Sequence, residues 1–441
     1  MNYREAMEYV EYLQRYGSVP GLQNMQKLCE RLGNPQEGLR FVHIAGTNGK
    51  GSVLAYVSTV LKTAGYKVGR YISPTILDYR ERFQIGGRPI TKTELCRYLE
   101  QVKEIGEKME EEGLTHPTPF EIETAIAFLY FSDKKCDIVV LETGLGGSLD
   151  ATNIINTTVC AVLASISMDH MAVLGDSLEK IAMQKAGIIK DNCRVVTCRQ
   201  KDEVMQVIEE AAKEHGCSLT IADSGKASHI KYGLGRQYFS YGDYKKLEIT
   251  MSGQFQIDNA ILALEVINAL QSEGFKVSEK QLRNGLMQTM WPGRFSIIGK
   301  KPLFIVDGAH NEDAAQRLAQ SIRLYFTNKR IIYIMGVLAD KEYDKIIQAT
   351  YELAQHIITV KPPNNARALD GYELAHAVSE YHDSVTVADS LMEAVEMAYL
   401  LTGKDNNTVI IAFGSLSFLG ELIHIVEHRD ALRGDSHGRS E

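Results

Sequence analysis

Residues Gly46 to Ser52 read GTNGKGS, which gathers three glycines, a lysine and a hydroxyl into one short stretch. Residues of these types can hold a phosphate. Glycines let backbone N–H groups converge, a helix N-terminus favours negative charge, and Lys50 adds a mobile cation. The spacing is close to the phosphate loop G-x-x-x-x-G-K-[ST], but Gly51 stands between Lys50 and Ser52. Phe41 to Ala45 is a short apolar run of strand type, and Val53, Leu54, Val57, Val60 and Leu61 recur at helical spacing until Gly65. A strand-to-helix turn with incidental glycines is the plainer alternative. Strand, loop, lysine, hydroxyl and helix in that order favour a nucleotide site.

Phosphoryl transfer from ATP needs magnesium, which takes oxygen ligands and keeps several waters. In CDIVVLETGLGGSLDATN, Glu142 closes an apolar run where a metal-binding acid would stand, and Gly144, Gly146 and Gly147 let the backbone approach a ligand. Taken alone, Glu142 would read as a capping or solvated residue; the phosphate loop upstream makes it a candidate metal ligand. Asp169 and His170 end the next run, and Lys185 lies in the helical stretch beyond. A lone histidine is more often packed or exposed than a ligand, and Lys185 beside Ile181 and Ala182 reads as a snorkelling lysine. Neither stands by itself.

These residues need a scaffold. Strand-like runs at Phe41–Ala45, Val68–Ile72, Asp137–Leu141, Cys160–Ile166 and Arg194–Thr197 alternate with helical patterns, which predicts a mostly parallel sheet covered by helices. Ligands of such sheets sit beyond the carboxyl ends of the strands, so Ser73, Glu142 and the Asp169–His170 pair are the suspects. Leu219 to Thr250 reads as a small β insertion, and DNAILALEVINALQSEG as a helix. MWPGRFSIIGKKP, with Pro292, Gly293 and Pro302, suits a linker, placing a first domain at 1–295 and a smaller α/β domain at 296–441. The tail from His428 looks frayed.

At 441 residues the chain exceeds what one core usually supports, and 44% apolar residues suffice for two ordinary cores. A net charge of −8 leaves no footprint for nucleic acid or acidic membrane. Seven scattered cysteines without a C-x-x-C pair fit reduced thiols. The acidic start MNYREAMEYVEYLQ is unlike a secretory signal, and no apolar run reaches the length of a membrane span. A soluble cytoplasmic protein is expected, with no membrane partner.

GTNGKGS, YISP, YRERFQI, LETGLGGSLDATN, SMDHMAVLGDSLEKIAMQKAGI, PGRF, DGAHN and GSL, in this order from about Tyr12 to Glu421, resemble the folylpolyglutamate synthase and dihydrofolate synthase family. GTNGK alone is shared with muramyl peptide ligases, while LDATN, the Lys185 segment and DGAHN point to the folate branch. The resemblance implies an N-terminal P-loop ATPase domain, a Rossmann-like C-terminal domain and ATP in the cleft between them. It implies ATP contacts at Asn48, Gly49, Lys50, Gly51, Ser52, Asn259, Arg294 and Asp307, with Arg294 and Asp307 on either side of the linker. Magnesium ligands would be Ser73, Glu142 and His170, and Lys185 would carry a carbamate; Lys50, Lys185 and His170 are the catalytic candidates. Phe120, Glu121, Leu149, Asp150 and Ala151 match the pterin and folate side, and His310 is a candidate for the glutamate side. A monovalent cation and a monomeric state are further expectations. The sequence departs from the family pattern at Ser148 (usually arginine), Thr143, Gln184, Phe255 and the loop PGLQNM from Pro20.

The chemistry so implied joins L-glutamate to the carboxylate of a reduced folate or dihydropteroate. An amine does not displace oxide from a carboxylate, so ATP must first convert it to an acyl phosphate. A muramyl-type amino-acid ligase is the nearest alternative, disfavoured by the short stretch ahead of Phe41. A P-loop ATPase that makes no amide is the other, disfavoured by LDATN, DGAHN and the second domain.

Overall fold

The computed structural model describes residues 1–17, 21–403 and 407–437, without the side chains of 430–437. Pro20 and the tail beyond His437 lie outside the described residues. Two compact units are present. The first comprises Met1–Ile230, Phe239–Ile249 and Ile257–Thr289, and the second Lys231–Tyr238, Thr250–Gln256 and Met290–Glu441.

In the first unit, β1 (Phe41–Ala45), β2 (Val68–Tyr71), β3 (Phe83–Ile85), β4 (Arg88–Pro89), β5 (Ile138–Glu142), β6 (Thr158–Leu163), β7 (Arg194–Cys198) and β8 (Ser218–Ala222) form one sheet. Its order is β4-β3-β2-β5-β1-β6-β7-β8. Pairings from β2 to β8 are parallel, and the β3–β4 hairpin adds an antiparallel edge. Every residue of β1, β2 and β5 is buried, as strands covered on both faces must be. The chain leaves β1 toward β2 on one side and crosses from β5 to β6 on the other. That reversal is the switch point at which such sheets bind ligands. Register brings the strand ends level there: Ile44 lies opposite Glu142, and Ala45 opposite Leu163.

Expectations for the end of this sheet and for the β insertion need correction. β6 stops at Leu163, because the chain beyond turns to hydrogen-bond the glycine loop (Thr47 N to Ser165 O, 2.7 Å). Asp169 and His170 therefore stand on a loop and not at a strand end. The β insertion starts later than Leu219, since Leu219 pairs with Val195 inside the main sheet. Only β9 (Ser228–Lys231), β10 (Gln237–Tyr241) and β11 (Tyr244–Ile249) form the separate three-stranded sheet.

The second unit holds β12 (Ser296–Lys300), β13 (Leu303–Val306), β14 (Arg330–Met335), β15 (His356–Val360), β16 (Val385–Ala388) and β17 (Thr408–Phe413). Their order is β12-β13-β17-β14-β15-β16, parallel except where β12 runs against β13. Ser296 to Lys300 is thus not linker but a strand hairpinned onto β13. The division falls after Thr289, which puts Arg294 in the second unit together with Asp307. A single helix, Leu419–His437, replaces the frayed tail expected from His428. Among the described residues no helix is long and apolar enough to cross a membrane.

The helix that begins at Lys50 is set by its neighbours. Glu279–Gln288 packs on it through Gly285, where a Cβ would lie 2.5 Å from Val60 Cα. Gly285→Ala must push the two helices apart. A loss of roughly 1–3 kcal/mol is expected from such overpacking. An unchanged urea midpoint would show that this contact yields freely.

Candidate active site

β1 opens into the loop Gly46–Gly49, and Lys50 begins the helix Lys50–Thr63. The loop is crowded. A Cβ at Gly46 would lie 2.8 Å from Ala164 Cβ, and one at Gly49, where φ is +89°, would lie 2.7 Å from Asn259 Oδ1. Only glycine fits both places. Gly49 is the N-cap and brings no side chain of its own to the first-turn N–H groups, the geometry that receives anions. From the β6 side, Thr47 N and Asn48 N donate to Ser165 O at 2.7 and 3.1 Å. Thr47 Oγ1 donates to Ser167 O at 3.0 Å and accepts from Ser167 N at 3.1 Å.

Two lysines meet on one oxygen. Lys50 Nζ donates to Gly46 O at 3.1 Å, and Lys185 Nζ to the same atom at 3.0 Å. Lys185 does not snorkel; it is 4% exposed. Burial first, and then the charge of Lys50, lower its amine to about 7, against the opposing pull of Asp169 and Asp150. Near neutral pH a large share of Lys185 is therefore the uncharged, nucleophilic amine.

Glu142 ends β5 and is buried. Tyr71 lies opposite Leu141, so Ser73, two residues beyond Tyr71, leaves β2 beside that end. Asp169 is nearly buried while His170 is half-exposed, in the left-handed region at φ +53°, with Nε2 3.9 Å from Asp169 Oδ2. Among the described residues no three His, Cys, Asp or Glu side chains gather as a metal cluster. Ser73 and Glu142 are brought to neighbouring strand ends; the loop beyond β6 carries His170.

The folate-side candidates separate into two kinds. Asp150 and Glu121 hold the scaffold. Asp150 is buried; its Oδ2 accepts from Leu145 N at 2.8 Å, and its Oδ1 from Thr152 N and Oγ1 at 3.1 and 2.5 Å. Burial raises its carboxyl above the usual range, opposed by these hydrogen bonds. Thr152 spends its proton on Asp150, so buried His43 donates from Nε2 to Thr152 Oγ1 at 2.9 Å. Burial and nearby Lys190 lower His43 to about 3, which keeps it neutral. Glu121 Oε2 accepts from Thr118 N (2.7 Å), Thr118 Oγ1 (2.9 Å) and Asn24 Nδ2 (3.0 Å), the capping box of the helix Pro119–Asp133. Phe120 and Leu149 offer apolar surface, whereas Ala151 is buried in the core: the Phe120 ring meets Tyr71 at 5.9 Å and lies against Gly144, and Leu149 is half-exposed.

In the second unit, Asp307 accepts from Phe295 N and Ala309 N, each at 2.8 Å. Burial raises its carboxyl to about 6, against the pull of the Arg294 guanidinium. Arg294 lies over Gly308, where any Cβ would overlap its Nη1. His310 Nδ1 contacts Gly308 O at 2.7 Å; a carbonyl only accepts, so the proton is on Nδ1 and Nε2 is the acceptor of the neutral ring.

Residues 44–267 match the Mur ligase middle domain and residues 293–416 the Mur ligase glutamate ligase domain. A dihydrofolate synthase/folylpolyglutamate synthase of Bacillus subtilis (strain 168) is 33% identical over 95% of this chain and 98% of its own. The chain belongs to the folylpolyglutamate synthase/dihydrofolate synthase family. A Mycobacterium tuberculosis folylpolyglutamate synthase complexed with ADP and AMPPCP superimposes with a TM-score of 0.89, at 29% identity over 96% of this chain and 99% of that one. E. coli FolC in complex with DHPP and ADP gives 0.83, at 27% identity over 97% and 98%.

The departures from the family pattern are built into the packing. Ser148 donates from N and Oγ to Gln184 O at 2.7 and 3.0 Å. Thr143, buried, donates from N to Ile44 O at 3.0 Å. Phe255 packs against the core of the second unit. Sequence reasoning missed Thr47, Ser167, Thr152, His43 and the Gly46 carbonyl as site-forming groups. GTNGK and LDATN contain three of these, but no spacing rule says which backbone oxygen two lysines will share.

Asp307 sets a pH test. Its folded value lies above the usual carboxylate range, so its stabilising share is present at about pH 4 and is lost as pH rises through about 6. The unfolding midpoint of Asp307→Asn should lack that fall, whatever its constant offset. Parallel profiles for the two proteins between pH 4 and 7 would contradict the assignment.

Proposed function

We propose that this chain is an ATP-dependent ligase that joins L-glutamate, through an amide, to the carboxylate of a reduced folate, and also to that of dihydropteroate. The observation that carries the reading is the convergence of Lys50 and Lys185 on Gly46 O, in a glycine loop at the switch point, beside the strand end bearing Glu142. Family relatives bound to ADP, AMPPCP and DHPP support the substrate classes.

ATP lies with its phosphates on Asn48 to Ser52, where loop N–H groups and Lys50 face the negative charge. Asn259 packs on Gly49 and keeps that loop closed. The substrate carboxylate attacks the γ-phosphorus and ADP leaves. The glutamate amine then attacks the acyl carbon, loses a proton and expels inorganic phosphate. Phe120 and Leu149 form the apolar side for the pterin, with Asp150 and Glu121 holding their loops. In the second unit, Arg294 and Asp307 are assigned to ATP and His310 to the glutamate side.

The donor set suits magnesium. Glu142 and the Ser73 hydroxyl would supply oxygens from adjacent strand ends, with His170 on the next loop. When bound, magnesium neutralises phosphate charge.

Lys185 has a second fitness. Its neutral amine can add carbon dioxide: an N–C bond forms, the nitrogen gives up a proton, and a would-be cation becomes a carboxylate with two acceptor oxygens. That carbamate removes the like-charge conflict with Lys50 and can orient His170 or a metal.

ADP release tests the function. It should require both glutamate and a folate or dihydropteroate, and release independent of either would reject the ligase. Lys50→Ala should keep the fold and lower turnover by about a hundredfold or more; near-normal turnover with unchanged ATP affinity would remove the phosphate-loop assignment. Lys185→Ala should be nearly inactive, wild-type rate should rise with bicarbonate, and a short carboxylic acid should partly rescue the alanine variant. A fully active Lys185→Ala protein would reject the carbamate.

A further inference from the structure

The helix Leu178–Ala186, which carries Lys185, ends against a turn that comes from β5. Ser148 N and Oγ both donate to Gln184 O, at 2.7 and 3.0 Å. At Gly147 the approach is backbone to backbone: a Cβ there would lie 2.6 Å from Gln184 O and 2.8 Å from Lys185 O. Gly187 closes from the other side, and a Cβ on it would overlap Ser148 Oγ. Asn153 Nδ2 donates to Ser148 O at 3.2 Å and Gly187 O at 2.9 Å, and Lys190 Nζ holds Asn153 O at 2.9 Å. The peptide gripped by this turn is the one joining Gln184 to Lys185.

We propose that Ser148 is a positioning residue, which braces the Lys185 backbone so that the amine stays on Gly46 O; this rests on the reading of Lys185 given above. The last carbonyls of a helix have no partner within it, and Ser148 supplies two donors to one of them. The brace is short and stiff. It starts after Glu142 and ends on Lys185, so the two groups keep one spacing relative to the glycine loop. A displacement of about 1 Å at a reacting group can cost up to a hundredfold in rate.

The full chain in the ADP-release assay provides the test. Ser148→Ala should lower kcat by about tenfold to a hundredfold, leave the KM for ATP nearly unchanged, and raise the bicarbonate needed for half-maximal rate. Ser148→Thr, which keeps the donor, should restore most of the rate. Gly187→Ala leaves Ser148 chemically intact but displaces it, and should reproduce the loss. Thermal melts establish that each variant is folded. Folded Ser148→Ala and Gly187→Ala with wild-type kcat and bicarbonate dependence would overturn the brace, while an inactive Lys185→Ala would leave the Lys185 reading in place. A fully active Lys185→Ala removes both together. Loss of folded protein alone, with kcat per folded molecule unchanged, makes the contact merely structural and also overturns the brace.

Discussion

One carbonyl oxygen, that of Gly46, receives the ammonium of Lys50 and the amine of Lys185. Two cations on one acceptor repel each other, and burial penalises the charge on Lys185. The conflict is relieved when Lys185 gives up its proton, which is the direction its surroundings drive it. Much of the first unit serves to hold this arrangement. Ala164 and Asn259 press on the loop glycines, Ser165 and Ser167 tie the loop to the chain beyond β6, and the Gly147–Ser148 turn fixes the helix that delivers Lys185.

Several buried polar groups around the site are committed to one another, while His43 Nδ1 and Asn153 Oδ1 find no hydrogen-bond partner among the described residues. Asp150, Thr152 and His43 form a chain in which each proton has a defined place, and Glu121 is held by three donors. A half-satisfied group of this kind would cost more than an apolar one. The consequence for function is division of labour. Carboxylates that look available in the sequence orient loops, while the apolar surface left beside them comes from Phe120 and Leu149.

The parallel sheet was legible because its strands are short, nearly continuous apolar runs, and the glycine loop because few other backbones need that spacing. Edges and ends were not. β3 and β4 are too short to show alternation, β8 has mixed burial, and β12 lies between Pro292–Gly293 and Pro302, so it read as linker until β13 paired with it. Lys185 read as a surface residue on local pattern alone, since helical spacing does not reveal that the neighbouring loop covers it. The same blindness hid the shared oxygen of Gly46, a backbone atom that every residue type possesses.

The proposed ligation requires the glycine loop to present a γ-phosphate to a substrate carboxylate. Oxygen transfer tests this most directly. With a folate labelled in its reactive carboxylate with oxygen-18, one labelled oxygen per turnover should appear in the inorganic phosphate, because the acyl phosphate breaks at the acyl carbon. Phosphate free of label, with amide formed at the normal rate, would contradict the account.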